Sequence, residues 1–205
     1  NEYAKKGTTF MLPTEDAAWN GEELNRRFGM QYWQFATSAT DSNRFALRLA
    51  REITKRKKIV VYNWCYHGSV DETVAVIDEK TGKTVAKPGS LGPQCDPALT
   101  TKVIEWNDVT ALEAALADED VAAVLAEPVM TNCGIVHPET GYHDALRELT
   151  KKYGTLLIID ETHTICAGVG GCTKEYGLKP DMVVVGKTVA AGIPCAAYGF
   201  TKEVG

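Results

Sequence analysis

The chain has 205 residues, of which 44% are hydrophobic and 24% are charged, as is typical of a globular protein. Its net charge of −5 argues against a nucleic-acid-binding or anionic-membrane surface, because both need basic stripes. No apolar run is long enough to span a bilayer, so we expect neither nucleic acid nor a membrane as a partner.

The six cysteines form no Cys-x-x-Cys pair, and a chain of this length needs no disulfides to build a core. We therefore expect reduced thiols in a cytoplasmic protein. The sequence begins without Met and ends just after an apolar run, which predicts a fragment of a longer chain.

Helical and strand patterns alternate along the sequence. Helices are predicted at 14–28, from the turn 37–41 through Ile53, at 109–116 and at 141–153. Strands are predicted at 32–35, 59–62, 103–106, 121–126, 156–159, 182–185 and 196–200, with a surface loop over 78–97 that contains a hairpin at Thr81-Gly82. Alternating elements with continuously apolar strands predict an α/β fold, a mainly parallel sheet with helices on both faces.

In such a sheet the ligand lies beyond the carboxyl ends of the strands, so the residues that follow the strands are the functional candidates. Residues 37–43 are small and hydroxyl-rich at the start of a helix, which suits either a phosphate or a simple helix cap. Tyr66 could stack on a planar ligand, and His67 could contact it or be a structural histidine.

Two further candidates follow apolar strands. Asp160 and Glu161 could hold magnesium in a nucleotide hydrolase, could join His163 around a metal, or Asp160 could face a pyridine nitrogen. The Gly-Lys-Thr that contains Lys187 is similar to the end of a phosphate-binding P-loop. A P-loop needs glycine five positions before Gly186, where this chain has Asp181, so the P-loop interpretation fails.

Five motifs in order resemble the class III aminotransferase family, a branch of the fold-type I enzymes that use pyridoxal 5'-phosphate (PLP). They are Ser38-Ala39-Thr40-Asp41-Ser42, Tyr66-His67-Gly68, Glu127-Pro128-Val129, Asp160-Glu161-Thr162 and Gly186-Lys187 with Gly192-Ile193-Pro194. Asn132 before Gly134 resembles the glutamate semialdehyde aminomutase branch. Ala39 stands where the family has Gly, Thr162 where it has Val, and His163 where it has Gln or Met.

The resemblance implies a site. Lys187 would form a Schiff base with PLP, and Asp160 would pair with the ring nitrogen. Tyr66 and Thr162 would flank the ring, while Glu127 would support the site. The remaining cofactor contacts implied are Ser38, Ala39 and Thr40 at the phosphate, Asn132 at the phenolic oxygen, and His67 and His163 beside the ring; no metal is implied.

The resemblance also implies a function. Residues 1–205 would form the large PLP-binding domain, without the N-terminal segment and the C-terminal small domain. The activity would move an amino group from an amine or amino acid to a keto acid or aldehyde, in a homodimer with shared active sites. A semialdehyde-type aminomutase or a PLP-dependent lyase are alternatives on the same scaffold, and an incomplete, non-catalytic PLP-binding fragment is an alternative of another class.

Overall fold

A computed structural model describes residue 5 and residues 12–205. The helices are α1 (Glu15–Phe28), α2 (Ala39–Thr54), α3 (Val109–Leu116), α4 (Tyr142–Lys152) and α5 (Gly171–Glu175). The strands are β1 (Tyr32–Ala36), β2 (Lys58–Tyr62), β3 (Ala75–Ile77), β4 (Thr84–Ala86), β5 (Thr101–Ile104), β6 (Val121–Ala126), β7 (Leu156–Asp160), β8 (Met182–Val185) and β9 (Ala196–Phe200).

Seven strands form one sheet in the order β1-β9-β8-β7-β6-β2-β5. Five adjacent strands run parallel to one another, in the order β8, β7, β6, β2 and β5. Strand β9 pairs antiparallel with both β8 and β1. This arrangement confirms the predicted α/β class and the mainly parallel sheet. Strands β3 and β4 form a separate hairpin around Thr81-Gly82, as predicted.

Buried apolar strands and helices on both faces account for the core. Every residue of β6 is buried, and alternate residues of β8 belong to different clusters. Val184 packs in the large cluster with Leu47 of α2, whereas Val183 packs with Phe28 of α1. Both faces of the sheet are therefore covered, as a parallel sheet requires.

The helix ends follow local chemistry. Thr14 caps α1, accepting a hydrogen bond from the backbone N–H of Ala17 over 3.2 Å, and Gly29 ends that helix in a left-handed conformation.

The bounds of one predicted strand were wrong: β5 spans Thr101–Ile104 rather than 103–106. Thr101 is buried opposite Ile59 and donates to the carbonyl of Glu72, so it belongs to the sheet despite its hydroxyl.

Across the described residues, no helix combines the length and the apolar composition that crossing a bilayer requires.

Candidate active site

The topology brings the ends of several strands to one edge of the sheet. Strands β2, β6, β7 and β8 end there, β1 also ends there, and the antiparallel β9 begins there. A cavity of about 350 Å³ lies at this edge. Every predicted site residue except Asn132 lines it: Ser38, Ala39, Thr40, Tyr66, His67, Asp160, Thr162, His163 and Lys187.

Asn132 is the predicted contact that the structure does not bring to the cavity. Met130 and Val136 pair in an isolated β-bridge, and Asn132 lies in the exposed loop between them. It is not among the residues that line the cavity. Its contact with a ligand stays a prediction.

Asp160 is the last residue of β7 and is only 3% exposed. Its Oδ2 accepts hydrogen bonds from Nδ1 of His67 over 2.8 Å and from Nδ2 of Asn43 over 2.9 Å. Its Oδ1 accepts one from the backbone N–H of Thr162 over 2.9 Å. Burial alone would raise the pKa of Asp160, but these donors outweigh it and hold the pKa below its usual value. The site therefore keeps a buried, ionised carboxylate.

His67 is buried beside that carboxylate, with its Nδ1 2.8 Å from Oδ2 of Asp160. Burial opposes a charged imidazole, but Cys65 and the Asp160 carboxylate raise the pKa of His67 well above its usual value. Because Nδ1 donates to a carboxylate, that nitrogen carries a proton, and Nε2 has no partner among the described residues. His67 thus supports Asp160 from behind.

Ser38 and Thr40 lie at the start of α2. Ser38 is the N-cap, since its Oγ accepts a hydrogen bond from the backbone N–H of Asp41 over 3.2 Å. The hydroxyls of Ser38 and Thr37 both donate to Oδ2 of Asp41, over 2.8 and 3.0 Å. These hydrogen bonds lower the pKa of Asp41.

Gly68 allows the turn after β2 to approach the start of α2. The residue has a positive φ of 83°, and a Cβ atom there would lie 3.0 Å from Cα of Thr40. The neighbouring N–H of Ser69 donates to Oγ1 of Thr40 over 3.1 Å. A side chain at position 68 would therefore push these two turns apart.

Lys187 follows β8 and has a left-handed backbone, with a φ of 48°. That conformation is unfavourable for a residue with a Cβ atom and typically costs about 1 kcal/mol or more. Lys187 is exposed to the cavity, and no hydrogen bond or ion pair joins its amine to another of the described residues. A strained backbone and a free amine at the cavity are typical of a functional lysine.

His163 forms a hydrogen-bonded cluster with Thr131 and Glu127 beside the cavity, and the sequence analysis did not predict this cluster. The hydroxyl of Thr131 donates to Oε2 of Glu127 over 2.5 Å and is hydrogen-bonded to Nδ1 of His163. Nδ1 of His163 lies 3.7 Å from Oε2 of Glu127. Because the Thr131 hydroxyl hydrogen points to the carboxylate, its oxygen accepts from His163. This order fixes the proton on Nδ1 and leaves Nε2 without a protein partner among the described residues.

Glu161 does not take part in the site. Its carboxylate accepts hydrogen bonds from the backbone N–H groups of Cys172 and Thr173 and from the hydroxyl of Thr164. Glu161 therefore holds the start of α5, while Asp160 faces the cavity. Within residues 5 and 12–205, no three His, Cys, Asp or Glu side chains are arranged as metal ligands.

Two residues of the site could not have been singled out from motifs. Asn43 lies 117 positions from Asp160, and only the packing of α2 on the sheet brings them together. Cys195 lines the cavity because β9 runs antiparallel and so begins at this edge. The antiparallel direction of β9 is the signal that would have located Cys195.

Comparisons with known proteins agree with this geometry. The sequence profile described as "Aminotransferase class-III" matches residues 3–205. Among curated proteins, a glutamate-1-semialdehyde 2,1-aminomutase of Sulfurihydrogenibium azorense is 38% identical over 207 residues, which cover 99% of this chain and 48% of the relative.

Solved structures give the same result. A glutamate-1-semialdehyde aminomutase of Pseudomonas aeruginosa PAO1 superposes with a TM-score of 0.95 and 52% identity, covering 99% of this chain and 45% of that chain. An omega-transaminase of Sphaerobacter thermophilus superposes with a TM-score of 0.91 and 30% identity, covering 99% of this chain and 48% of that one. The chain thus spans about half the length of the relatives it matches, and these comparisons confirm the family resemblance and its aminomutase branch. The chain belongs to the class-III aminotransferase family.

Proposed function

We propose that residues 1–205 form the PLP-binding domain of an aminotransferase that moves an amino group from an amine or amino acid to a keto acid or aldehyde. One observation carries the proposal: a single cavity is lined by a buried, ionised Asp160, by the free amine of Lys187, and by the N-terminal turn of a 16-residue helix that Ser38 caps. Related proteins support the cofactor, since a Pseudomonas aeruginosa glutamate-1-semialdehyde aminomutase has been solved in complex with PMP.

The residues present fit this cofactor. The start of α2 offers backbone N–H groups and the positive end of a helix dipole, which suit a phosphate. Oδ1 of Asp160 accepts one hydrogen bond and can accept another, which suits a protonated ring nitrogen. Oγ1 of Thr162 is buried beside the cavity without a partner among the described residues, so it can donate to a ligand.

When bound, PLP supplies an electron sink for the electrons left on carbon after a proton is removed. Nζ of Lys187 would hold the cofactor, and its amine would move a proton to and from the carbon that bears the amino group. The Asp160 carboxylate would favour a protonated ring nitrogen. Tyr66, about half exposed at the cavity, offers a ring face for stacking.

The remaining predicted contacts belong to the same proposal. His67 acts through Asp160, His163 offers Nε2 beside the ring, and Ala39 contributes its backbone at the phosphate turn. The resemblance assigns Asn132, in its exposed loop, to the phenolic oxygen. We also propose a homodimer with shared active sites, as the resemblance implies, and a cytoplasmic location, for which the six free cysteines are the supporting observation.

The assignment of Lys187 is tested by reducing the full-length protein with borohydride in the presence of PLP and mapping the modified peptide. We expect the label on Lys187. Label on another lysine would contradict the assignment, and absence of both label and any PLP absorbance band would favour the non-catalytic alternative. Lys202→Ala is a suitable control, because this exposed lysine lies outside the cavity.

An aminomutase, which moves the amino group within one substrate, is the second candidate function. The names of the most similar curated relatives and the 52% identity to the Pseudomonas aeruginosa aminomutase favour it. The two functions differ in their need for an acceptor. Turnover of an amino donor only when a keto acid or aldehyde is added supports the aminotransferase, whereas conversion of an amino aldehyde without an acceptor supports the aminomutase.

A further inference from the structure

Asn43 is a fully buried amide on the second turn of α2, directly behind the cavity. Its Nδ2 donates to Oδ2 of Asp160 over 2.9 Å and to the backbone carbonyl of His67 over 3.1 Å. Both partners are acceptors, so the amide nitrogen must face them, and both of its hydrogens are used. Its own Oδ1 is buried without a partner among the described residues, which is unfavourable by itself.

The hydrogen bonds of Asn43 close a ring of three residues. His67 donates from Nδ1 to the same Oδ2 of Asp160 over 2.8 Å, while its carbonyl accepts from Asn43. With two donors, Oδ2 has its in-plane acceptor directions filled. Oδ1 receives only the N–H of Thr162, over 2.9 Å, and so retains one direction for a ligand.

We infer that Asn43 is a positioning residue: by filling Oδ2 together with His67, it fixes the plane of the Asp160 carboxylate and leaves Oδ1 for the ring nitrogen of the cofactor. This inference rests on the proposed function. Asn43 lies on the helix whose first turn, capped by Ser38, is the proposed phosphate seat. Helix α2 thereby joins the two ends of the cofactor in one rigid element.

The experiment measures PLP binding by the full-length protein and uses two ligands, PLP and an analogue in which CH replaces the ring nitrogen. Asn43→Leu has a similar size and no donor. We expect its affinity for PLP to fall about tenfold to a hundredfold, as for one hydrogen bond to a charged group. Its affinity for the analogue should equal that of the wild type, because that ring has no nitrogen for Asp160 to hold.

Thr150→Val is the matched control. Thr150 is equally buried but lies on α4, where its hydroxyl donates to the carbonyl of Leu146 over 2.8 Å, and it does not line the cavity. This control should lower the melting temperature without changing the affinity for either ligand. It separates a general loss of packing from the effect of Asn43 on Asp160.

Asn43→Asp keeps the experiment informative if Asn43→Leu does not fold. An aspartate here donates to Asp160 only while it is protonated, and two adjacent buried carboxyls share a proton at low pH. We expect its affinity for PLP to fall as the pH rises, relative to the wild type. The other titratable groups that line the cavity are present in both proteins and cancel in this comparison; they are Tyr66, His67, Glu127, His163, Lys187 and Cys195.

Three outcomes are decisive. Selective loss of PLP affinity in Asn43→Leu, or the stated pH trend in Asn43→Asp, supports the positioning role. Equal losses for PLP and the analogue, or wild-type affinity for PLP with an unchanged pH profile, overturn that role alone. A wild-type protein that binds no PLP overturns the proposed function and this inference with it.

Discussion

Gly186 lies so close to Ala39 that a Cβ atom on Gly186 would be 2.9 Å from the Cβ of Ala39, nearer than two such atoms normally approach. Gly186 precedes Lys187 at the end of β8, and Ala39 begins α2. The turn that carries the proposed covalent lysine therefore packs directly on the turn that forms the proposed phosphate seat. Position 186 tolerates no side chain unless these turns separate.

Gly186→Ala tests this contact. Overpacking should lower the free energy of unfolding by about 1–3 kcal/mol. PLP affinity should also fall, since both turns contribute to the cofactor site. Urea denaturation and PLP titration measure the two effects. Gly21→Ala is the matched control, because Gly21 lies within α1 with nothing within 4 Å of an added Cβ, and it should gain about 0.5–1 kcal/mol. Unchanged stability and binding in Gly186→Ala would refute the close contact.

The buried His67–Asp160 pair predicts a pH-dependent stability. The raised pKa of His67 adds stability that is complete below the ordinary value of 6.5 and is lost as the pH rises through the raised pKa. The lowered pKa of Asp160 adds stability that is present above 3.8 and is lost as the pH falls through the lowered pKa. The difference in unfolding free energy between the wild type and His67→Leu should be largest between pH 3.8 and 6.5, on the order of 3–5 kcal/mol.

His143 is a control whose contribution to the unfolding free energy changes with pH in the opposite direction to that of His67. Burial lowers the pKa of its imidazole, whose Nε2 donates to the carbonyl of Pro128 over 3.0 Å. A lowered histidine pKa favours the neutral form in the folded state, so stability is lost as the pH falls below 6.5. His143→Gln should therefore reduce the acid sensitivity of the protein. A His67→Leu difference that does not change with pH would contradict a charged His67.

The edge of the sheet that carries the site was predictable from the sequence. Asp160 and Lys187 each follow a continuously apolar strand, and such strands form parallel sheets whose carboxyl ends lie together. Their placement in one cavity depends only on strand direction and order. The family motifs then identified the residue types without any knowledge of contacts.

The internal contacts of the site were not predictable. Asn43 looks like an ordinary polar residue of α2, and its partner Asp160 is 117 positions away. The loop after β6 contacts the residues that follow β7, which brings together Thr131, Glu127 and His163. Asn132, in an exposed loop outside the cavity lining, stays a prediction that rests on its motif alone. Motif order predicts which residues share an edge, but side-chain pairing depends on packing between elements.

Glu161, the second acid of the Asp-Glu pair, should have a structural role rather than bind the cofactor. Its carboxylate is fully buried against the N–H groups of Cys172 and Thr173. Glu161→Gln replaces one acceptor oxygen by a donor and should cost about 1–3 kcal/mol of unfolding free energy. PLP affinity should stay at the wild-type level, because this side chain faces away from the cavity. Glu148→Gln, an exposed change on α4, is the control. If PLP affinity falls in Glu161→Gln under conditions in which the variant is fully folded, Glu161 has a direct role in binding the cofactor.

Arg147 and Asp181 form a two-point ion pair that ties α4 to the strand ends away from the cavity. Nη1 and Nη2 of Arg147 contact Oδ2 and Oδ1 of Asp181 over 2.8 and 3.1 Å, and Oδ2 also accepts from the N–H of Leu157 over 2.7 Å. Both side chains are less than one-fifth exposed, at 17% and 18%. The pair is therefore shielded from solvent and should contribute more than a surface ion pair.

Arg147→Ala should lower the unfolding free energy by about 1.5–3 kcal/mol, since it leaves a partly buried carboxylate with one donor fewer at each oxygen. Arg147→Lys should recover only part of that loss, because a single ammonium cannot bridge both oxygens. Lys152→Ala is the control: its ion pair with Glu113 is 57% and 46% exposed, so its loss should stay within about 0.5 kcal/mol. Urea denaturation of the three variants at low and high salt measures these differences. A full recovery by lysine would show that charge alone, rather than the forked geometry, holds α4 to the sheet.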